Sequence, residues 1–518
     1  MRCGGRTTRA RADDDDISSV LGTPGGRTGR CSSRQRKPPS ISRLRVSLKV
    51  RAGGSHFTPA SVRLWFAATP GGCKGLSTNR ANLAGVISQH PPRGLRARTT
   101  ELPSSPALVD YFGPDGTAWI RNGEGMVGIG EVARIEGADF AEAEQWWAEF
   151  ISELDHEDQL GQHPGSGPVA MGSFVFDPGN TAEESILVVP QLVVGRRKRR
   201  SWLTVIAGLN QDWPQLPEPI TDPPRRPEQS AVVGGSRERD SWQDIVAEAV
   251  QRIHTDGLEK VVLARSEVLQ ASQALDSRWL ISELTAAYPS CWTFHVAGLV
   301  GASPEMLLRR EGGLATSRVL AGTIRRHDPT SAEGLSSEEL DLKLAHALAR
   351  SSKNLIEHEL AVASVARALE PFCSGMNVPD APYVLELPNV LHLASDVTAV
   401  ARPDVSALRL AGELHPSAAV CGTPTVQARA VIAELEQLDR GRYSGPVGWL
   451  DARGDGEFAI ALRSGRLDPD DARRITVYAG CGIVAESDPA EEYAETEAKL
   501  LPMHQVLGRQ DHDRELSS

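Results

Sequence analysis

The stretch that most constrains the fold joins a predicted strand to a predicted helix, from Ala479 to Lys499 (AGCGIVAESDPAEEYAETEAK). Gly480 and Gly482 interrupt the end of the strand, which is typical of a bulge or of a close approach to the backbone. Asp488 and Pro489 follow as an N-cap and a first helical residue, so the spacing predicts that a helix begins there. The chain is therefore predicted to pass from a sheet into a helix at this point.

Three charged side chains of this predicted helix fall on one face. Glu492, Glu495 and Lys499 lie at positions i, i+3 and i+7, which share one side of an α-helix. Two carboxylates and an ammonium group can hold a divalent cation and an anionic ligand together, whereas a solvated helix face is the plainer interpretation. Taken alone, the segment favours the solvated face, because short motifs often match by chance.

Composition excludes several classes of function. The chain has 518 residues and a net charge of −11, which argues against a general nucleic-acid binder and is compatible with a soluble enzyme. No apolar run is long enough to span a bilayer. The seven cysteines are scattered singly, without the spacing of a zinc site or a disulfide framework. We therefore expect a cytoplasmic monomer with no nucleic-acid partner and no membrane partner.

The first hundred residues differ from the rest of the chain. Residues 1–104 are rich in Arg, Gly, Ser and Pro and show no sustained periodicity, so we expect a disordered extension. Three origins remain open for this extension. It is a transit segment, a basic tail that touches nucleic acid or a membrane, or upstream sequence translated from a start site placed too early. We favour the last. The folded part is expected over 105–508, with an N-terminal part (105–213), a proline-rich connector (214–235) and a core (236–508).

Local patterns predict alternating strands and helices along this part. Gly123 to Gly128 matches the letters of a dinucleotide fingerprint, but another strand pattern follows instead of a helix, which excludes a Rossmann site. The longest helix is predicted from Ser337 to Leu369, with a core stripe of apolar residues spaced by seven. Glu357 lies on a different, polar face of that helix. The residues after Pro502 are expected to form a frayed terminus.

Seven side chains stand out as candidates for chemistry. Glu357, Glu492 and Glu495 are candidate metal ligands, because oxygen-only ligands suit Mg²⁺. Two cations, Arg463 and Lys499, suit a substrate with more than one carboxylate. Lys260, at the mouth of an apolar strand, and Glu305, in the turn GASPE, suit a general base and a general acid. Those roles require that their pKa values shift towards neutrality from opposite sides.

Eight segments resemble the chorismate-binding enzymes and, within that family, the isochorismate synthases. They are KVVLAR, GASPEMLLRR, LAGT, SSKNLIEHELA, LHPSAAVCGTP, RGRYSGPVGW, GEFAIALRS and AGCGIVAESDPAEEYAETEAK. The match runs in order over roughly residues 105–505, a density that excludes chance. The resemblance implies an α/β (α+β) fold, a single large domain of stacked, largely antiparallel β-sheets flanked by helices. It also implies a Mg²⁺-dependent reaction on chorismate.

The resemblance also implies residue roles. Lys260 activates water, which adds at C2, and Glu305 protonates the departing C4 hydroxyl, so that isochorismate forms. Glu357 and Glu495 match direct Mg²⁺ ligands, and Glu492 matches a supporting carboxylate. The positions that match substrate contacts are Gly322, Thr323, His392, Tyr443, Arg463, Gly480, Gly482 and Lys499. His358 is expected to serve in packing or in support of its neighbours.

One departure and several related activities qualify the resemblance. Asn354 stands where the family usually has an acidic residue, so we expect weaker Mg²⁺ binding. Ala321 stands where aminodeoxychorismate synthases carry a lysine nucleophile, and Lys260 stands where anthranilate synthases usually have glutamine, so both activities are disfavoured. Salicylate synthases share Lys260, Glu305 and the metal residues but go on to eliminate pyruvate, and the sequence leaves this alternative open.

Two rival classes of function also follow from the sequence. A non-catalytic relative would need a broken base, acid or metal site, and Asn354 is the single departure. A nucleic-acid binder would act through the basic residues before position 100 and would bind in a salt-sensitive way. The sequence leaves open whether the product enters menaquinone or siderophore biosynthesis.

Overall fold

The computed structural model describes residues 90–508, apart from 105, 162, 327–336 and 387–389, and apart from the side chains of Thr323, Arg325, Ser337, Lys353, Glu357 and Val390. Runs of strands are separated by single helices or pairs of helices along this part of the chain. The strands are β1 (Leu95–Glu101), β2 (Thr117–Arg121), β3 (Glu124–Ile129), β4 (Ala133–Glu136), β5 (Asp155–Asp158), β6 (Val169–Ser173), β7 (Ile186–Val189), β8 (Leu192–Arg197), β9 (Arg200–Gly208), β10 (Ser230–Gly235), β11 (Lys260–Ala271), β12 (Trp292–Val296), β13 (Leu299–Ser303), β14 (Met306–Glu311), β15 (Leu314–Arg325), β16 (Cys373–Asn377), β17 (Tyr383–Glu386), β18 (Val390–Ala401), β19 (Gly422–Thr423), β20 (Pro446–Asp451), β21 (Gly456–Ile460), β22 (Ser464–Leu467) and β23 (Arg474–Ile483). The helices are α1 (Phe140–Ser152), α2 (Arg239–Thr255), α3 (Ser277–Ala287), α4 (Ser337–Arg350), α5 (Ser352–Leu369), α6 (Ala407–Leu414), α7 (Thr425–Glu436) and α8 (Pro489–Val506).

The strands of the described residues form two sheets. Sheet 1 has the order β10-β11-β23-β22-β13-β12-β2-β3-β8-β9-β1-β5, with β19 beside β11. Sheet 2 has the order β16-β18-β15-β14-β21-β20-β6-β7-β4, with β17 beside β18. Strands β1 and β5 pair in parallel, whereas the neighbouring pairs around the site, such as β11 with β23 and β15 with β18, are antiparallel. The predicted largely antiparallel α/β architecture is therefore confirmed.

Aromatic and apolar side chains from both sheets pack into one shared core. Trp119, Phe294 and other residues of sheet 1 meet Met171, Trp449 and their neighbours from sheet 2. The indole N–H of Trp119 also donates to the Glu457 carboxylate at 3.0 Å across this interface. The two sheets are thus stacked face to face, with burial of apolar area as the main stabilising contribution.

Helices cover the outer faces of the two sheets. Helices α3 and α8 share an apolar cluster with β23, through residues such as Leu280, Leu500 and Ile475. Helices α1, α5 and α6 contribute to the cluster that includes β14 and β21 of sheet 2. None of the helices in the described ranges is long and apolar enough to cross a membrane.

Three boundaries differ from the sequence predictions. Strand β1 begins at Leu95 and pairs with β9 along its whole length, so ordered structure starts before the predicted boundary at 105. Strand β10 occupies the last residues of the predicted 214–235 connector. Residues 503–508 are not frayed, because Met503 and Leu507 are buried against α3 and β23, whereas residues 509–518 lie outside the described part of the chain. The proposed extension over 1–89 lies outside the described residues and stays a prediction.

Two predicted elements are divided in the structure. The helix expected from Ser337 to Leu369 breaks at Ser351, whose hydroxyl accepts a hydrogen bond from Asn354 N and caps α5. A serine that bonds locally in this way competes with a continuous helix. The sequence also predicts one strand from Ser185 to Val194, which in the structure is divided into β7 and β8; these flank Pro190 and belong to different sheets. Proline lacks the N–H that a continuous strand would need.

Candidate active site

A cavity of about 200 Å³ is lined by strands of both sheets and by helix α8. Most of the residues predicted for the site line it together, namely Lys260, Glu305, Gly322, His392, Tyr443, Arg463, Gly480, Gly482, Glu492, Glu495 and Lys499. The side chains of Thr323 and Glu357 lie outside the described residues, although β15 and α5, which carry them, border the cavity through Gly322 and Asn354. The structure therefore brings the predicted residues to one place, while their individual roles remain predictions.

Lys260 is the first residue of β11, where two other strands meet it. Its backbone pairs with Thr423 of β19, and the next residue, Val261, pairs with Ile483 of β23. A Cβ atom at Gly482 would lie 2.7 Å from Lys260 Cε, so the lysine stem occupies the space that a side chain there would fill. The glycine that interrupts β23 is thus explained by the close approach of this lysine.

Glu305 lies in the short turn between β13 of sheet 1 and β14 of sheet 2. Ser303 fixes this turn, because its hydroxyl donates to Ile460 O at 2.6 Å and accepts from Glu305 N at 3.2 Å. The side chain is only 8% exposed. Burial raises the pKa of Glu305 to about 7, against the opposing effect of Lys260, Arg463 and Lys499. A carboxyl group in this state can donate a proton near neutral pH.

Two further side chains, Arg463 and Tyr443, give the cavity wall charge and a hydrogen-bond donor. Arg463 has a backbone φ of +49°, rare for a residue other than glycine, and its carbonyl accepts from Ala302 N at 3.2 Å. Burial lowers the pKa of Arg463. The Tyr443 ring stacks on Tyr478 with centroids 4.9 Å apart, and burial raises the Tyr443 pKa to about 12, so its phenol stays protonated.

His392 faces the same charges from strand β18. Burial, together with the positive charges of Arg463 and Lys499, lowers the His392 pKa to about 3. Its imidazole is therefore neutral at physiological pH and can both donate and accept a hydrogen bond. Its role as a substrate contact stays a prediction.

The acidic side of the cavity comes from the first turns of α8. Asp488 caps this helix through hydrogen bonds from Ala490 N and Glu491 N, both close to 3 Å, as the sequence predicts. Glu492 accepts from Ser487 Oγ at 2.7 Å. Burial raises the Glu492 pKa, and the nearby Glu495 carboxylate adds to that rise.

Lys499 joins this helix to the strand before it. Its ammonium group lies 2.6 Å from Glu495 Oε1 and donates to Gly480 O at 2.8 Å. Glu495 at position i and Lys499 at i+4 therefore form an ion pair on the helix, next to the end of β23. The face predicted from sequence is directed into a cavity and is not the solvated surface that the plainer interpretation favoured.

The donor set of this acidic side fits a hard divalent cation. Two neighbouring carboxylates in a partly buried place, where Glu495 helps to raise the pKa of Glu492, are stabilised by a cation between them. Among the side chains that the structure describes, no three His, Cys, Asp or Glu side chains are grouped as a metal cluster. The third predicted ligand, Glu357, is not among those side chains.

A bulge in β15 shapes the opposite wall. Pairing with β18 shifts between Leu320 and Thr323, and Gly322 has a φ of +79°. A Cβ atom at Gly322 would lie 3.0 Å from the Cβ of Asn354, so α5 approaches the strand closely here. His358 links Ala321 O, 3.1 Å from Nδ1, to Ser395 Oγ, 2.8 Å from Nε2. His358 is thus a buried supporting residue, in agreement with the prediction for it.

Sequence reasoning missed the buried pair Glu436 and Arg440. A Glu436 carboxylate oxygen accepts from Ala264 N at 2.7 Å, and Arg440 Nη2 donates to Val262 O at 2.7 Å. Both contacts satisfy backbone groups of β11 on the edge that β23 does not cover, and Arg440 also lines the cavity. The segment RGRYSG contains Arg440, but nothing in its spacing indicates that the arginine replaces a strand neighbour.

Comparison with known proteins agrees with this arrangement. The model of the family described as chorismate binding enzyme matches residues 119–508. The isochorismate synthase MenF of Bacillus subtilis is 32% identical over 413 residues, which cover 74% of this chain and 85% of that protein.

The chain belongs to the chorismate-binding enzyme family.

Two further proteins extend the comparison within this family. A salicylate biosynthesis isochorismate synthase of Pseudomonas aeruginosa is 37% identical over 298 residues, which cover 57% of this chain and 60% of that protein. The structure of MenF, the menaquinone-specific isochorismate synthase of Escherichia coli, has a TM-score of 0.67 at 22% identity and covers 80% of this chain and 95% of that one. That structure supports the chorismate-binding fold alone. The resemblance inferred from the eight segments is confirmed.

Proposed function

We propose that this chorismate-binding enzyme is a Mg²⁺-dependent isochorismate synthase. The observation that carries the proposal is the buried Glu305 carboxyl, whose pKa of about 7 suits a general acid, in one cavity with Lys260. The similarity to isochorismate synthases supports the same activity. Chorismate is the small-molecule substrate, and no nucleic acid or membrane is required.

The reaction divides between these two residues. Lys260, as the neutral amine, accepts a proton from water as the water oxygen forms a bond to C2 of chorismate. The ring double bonds shift, the C4–O bond breaks, and Glu305 donates its proton to the departing hydroxyl. One water is consumed and one is released, so the product is an isomer of the substrate. The acid must be protonated when the C4–O bond breaks, and the raised pKa of Glu305 keeps its carboxyl group protonated near neutral pH.

The remaining residues bind and orient the substrate. Arg463 and Lys499 offer positive charge to the two carboxylates of chorismate, and Tyr443 and His392 offer hydrogen bonds. Thr323 and the backbone groups at Gly322, Gly480 and Gly482 complete the proposed contacts. Glu495, Glu492 and Glu357 would hold Mg²⁺, which when bound supplies positive charge to neutralise a substrate carboxylate.

Product analysis tests the proposal. Purified full-length protein is incubated with chorismate and Mg²⁺, and products are separated by chromatography with a coupled assay for pyruvate. Isochorismate as the stable product, lost with EDTA and in Lys260→Ala and Glu305→Ala, is expected. Salicylate with an equal amount of pyruvate would replace the proposal by the salicylate synthase alternative that the sequence left open.

A second experiment tests the metal assignment separately from turnover. Glu495→Gln is expected to abolish the heat of Mg²⁺ binding in calorimetry, because it removes a charged ligand without changing side-chain size. Glu491→Gln is the matched control, since Glu491 lies on the same helix but is exposed. Equal Mg²⁺ binding by both variants would contradict the assignment.

A further inference from the structure

A second polar cluster lies behind the acidic side of the cavity. Arg265 and Glu267 of β11 meet Tyr493, Thr496 and Glu497 of α8. Neither Arg265 nor Thr496 lines the cavity, and the proposed reaction uses neither. Both are fully or almost fully buried, with exposures of 2% and 0%. A buried charged group held in several contacts fixes the elements that carry it.

Arg265 uses each part of its guanidinium group for a different contact. Nε donates to Thr496 Oγ1 at 2.8 Å, Nη1 donates to Glu267 Oε1 at 3.0 Å, and Nη2 donates to the Glu497 carboxylate. The guanidinium carbon also lies 4.6 Å from the centre of the Tyr493 ring. A planar fork of this kind specifies geometry in a way that a lysine ammonium cannot.

The hydroxyl of Thr496 links Arg265 to the backbone of α8. Its hydroxyl accepts from Arg265 and donates to Tyr493 O at 2.7 Å, so a contact from β11 is connected to the backbone of α8 through one side chain. The preceding residue is Glu495, the proposed Mg²⁺ ligand, and the helix places the two side chains about 100° apart. A contact at Thr496 therefore sets the rotation of the turn that presents Glu495.

The two linked elements carry the two halves of the site. Strand β11 begins with Lys260, and α8 carries Glu492, Glu495 and Lys499. A rotation of α8 by about 10° would move a group roughly 6 Å from the helix axis by about 1 Å, enough to disturb metal coordination. The correct distance between base and metal carboxylates thus requires a fixed connection between this strand and this helix.

We propose that Arg265 is a positioning residue that sets the rotation of α8 relative to β11 through Thr496. It holds the carboxylates of α8 that are proposed to bind Mg²⁺ at a fixed position relative to β11, the strand that begins with Lys260. This inference rests on the proposed function, because it assigns a purpose to the alignment of those carboxylates. Contacts of Arg265 with Glu267 and Glu497 keep the guanidinium in the orientation that Thr496 requires.

Thr496→Val gives the most specific test, since it keeps the shape of the side chain and removes the hydroxyl. Mg²⁺ affinity, measured by calorimetry on the full-length protein, is expected to fall about tenfold, as for other residues that orient metal ligands. The kcat at saturating Mg²⁺ is expected to change less than the Mg²⁺ concentration for half-maximal rate. Thr496→Ser, which keeps the hydroxyl, should restore Mg²⁺ affinity to within twofold of the original.

Thr204→Val is the matched control for loss of a buried threonine hydroxyl. Thr204 lies on β9, is buried, and bonds to Thr99 Oγ1 at 2.9 Å and to Gly167 O at 3.1 Å. Its replacement is expected to lower Tm without changing Mg²⁺ affinity. If Thr496→Val proves too unstable to purify, Arg265→Lys is measured in its place, with the same expected loss of affinity.

The outcomes separate this inference from the proposed function. Unchanged Mg²⁺ affinity in Thr496→Val, or an equal loss in Thr204→Val, would overturn the positioning role while leaving the isochorismate synthase proposal intact. An original protein that neither binds Mg²⁺ nor converts chorismate would overturn the proposed function and the inference with it. Weakened Mg²⁺ binding in Thr496→Val alone, restored in Thr496→Ser, supports the role.

Discussion

Gly482 and Lys260 lie in such close contact that the glycine determines where the lysine side chain goes. A Cβ atom at Gly482 would stand 2.7 Å from Lys260 Cε and 3.3 Å from Nζ, both shorter than an ordinary van der Waals contact. The two residues come from neighbouring strands, β23 and β11, which are paired in this region. The amine of Lys260 is thus placed by the absence of a side chain on the adjacent strand.

Gly482→Ala is expected to lower kcat about 100-fold, because a displacement of the proposed base, Lys260, by about 1 Å costs that much in an oriented reaction. The KM for chorismate should change less, since the proposed substrate-binding cations, Arg463 and Lys499, are untouched. Gly234→Ala is the control, because a Cβ on that strand glycine meets no atom within 4 Å. Steady-state kinetics of both variants check the prediction, and equal kcat values would refute it.

The pH dependence of the reaction should report the protonation of Glu305. Its pKa is raised to about 7 by burial, so the proton-donating form is present below that pH and is lost above it. The value of kcat/KM is therefore expected to fall about tenfold per pH unit on the alkaline side of pH 7. Rate measurements from pH 5 to 9 check this. If the decrease in kcat/KM above pH 7 persists unchanged in Glu305→Asp, it is due to the titration of another group.

Glu305 should also make the protein less stable at alkaline pH. A folded-state pKa raised from 4.5 to about 7 means that the neutral form favours folding at low pH and that this contribution is lost as pH rises through 7. The difference corresponds to about 3 kcal/mol at roughly 1.4 kcal/mol per pKa unit. Glu305→Gln, which cannot ionise, is expected to be inactive yet more stable than the original at pH 8.5.

Urea denaturation at pH 5 and pH 8.5 measures this effect. The gain in the free energy of unfolding for Glu305→Gln should be large at pH 8.5 and small at pH 5. The same gain at both pH values would show that packing, and not ionisation, is responsible. Comparing the variant with the original at each pH cancels the contributions of the other titratable groups.

Asn354→Asp is expected to strengthen Mg²⁺ binding. Asn354 lines the cavity one turn before Glu357 on α5, and its amide donates to Ser351 Oγ at 2.9 Å. An aspartate could still accept from the Ser351 hydroxyl and would add a negative charge near the proposed metal position. Calorimetry should give a several-fold lower Kd for Mg²⁺. The substitution should change the Tm less in the absence of the metal than in its presence. Weaker binding would place the metal elsewhere.

Local chemistry allowed much of the site to be predicted. The glycines of β23, the Asp488 cap and the i, i+3, i+7 spacing on α8 are short-range patterns, and the structure has the strand, the cap and the shared face. Lys260 and Glu305 were candidates because of their places at a strand end and in a turn, but their specific roles depended on the resemblance to a family. Their meeting in one cavity depends on the packing of two sheets.

Other features could not be predicted because their causes are long-range. Strand β1 has the composition of the polar segment before it, and its order comes from pairing with β9, more than a hundred residues later. The division between β7 and β8 arises because the two halves of one apolar run pair with strands of different sheets. The sequence around Arg440 is compatible with an ordinary surface arginine, and only the fold brings its side chain to β11.

The Glu436–Arg440 pair has a consequence for how this protein meets other chains. A strand edge with unpaired backbone groups is a place where a strand of another molecule can add. On β11 the two charged side chains already occupy Ala264 N and Val262 O, and Arg440 also lines the cavity. A foreign strand would have to displace a buried ion pair to bind there, so this edge of β11, beside the site, is protected from edge-to-edge aggregation.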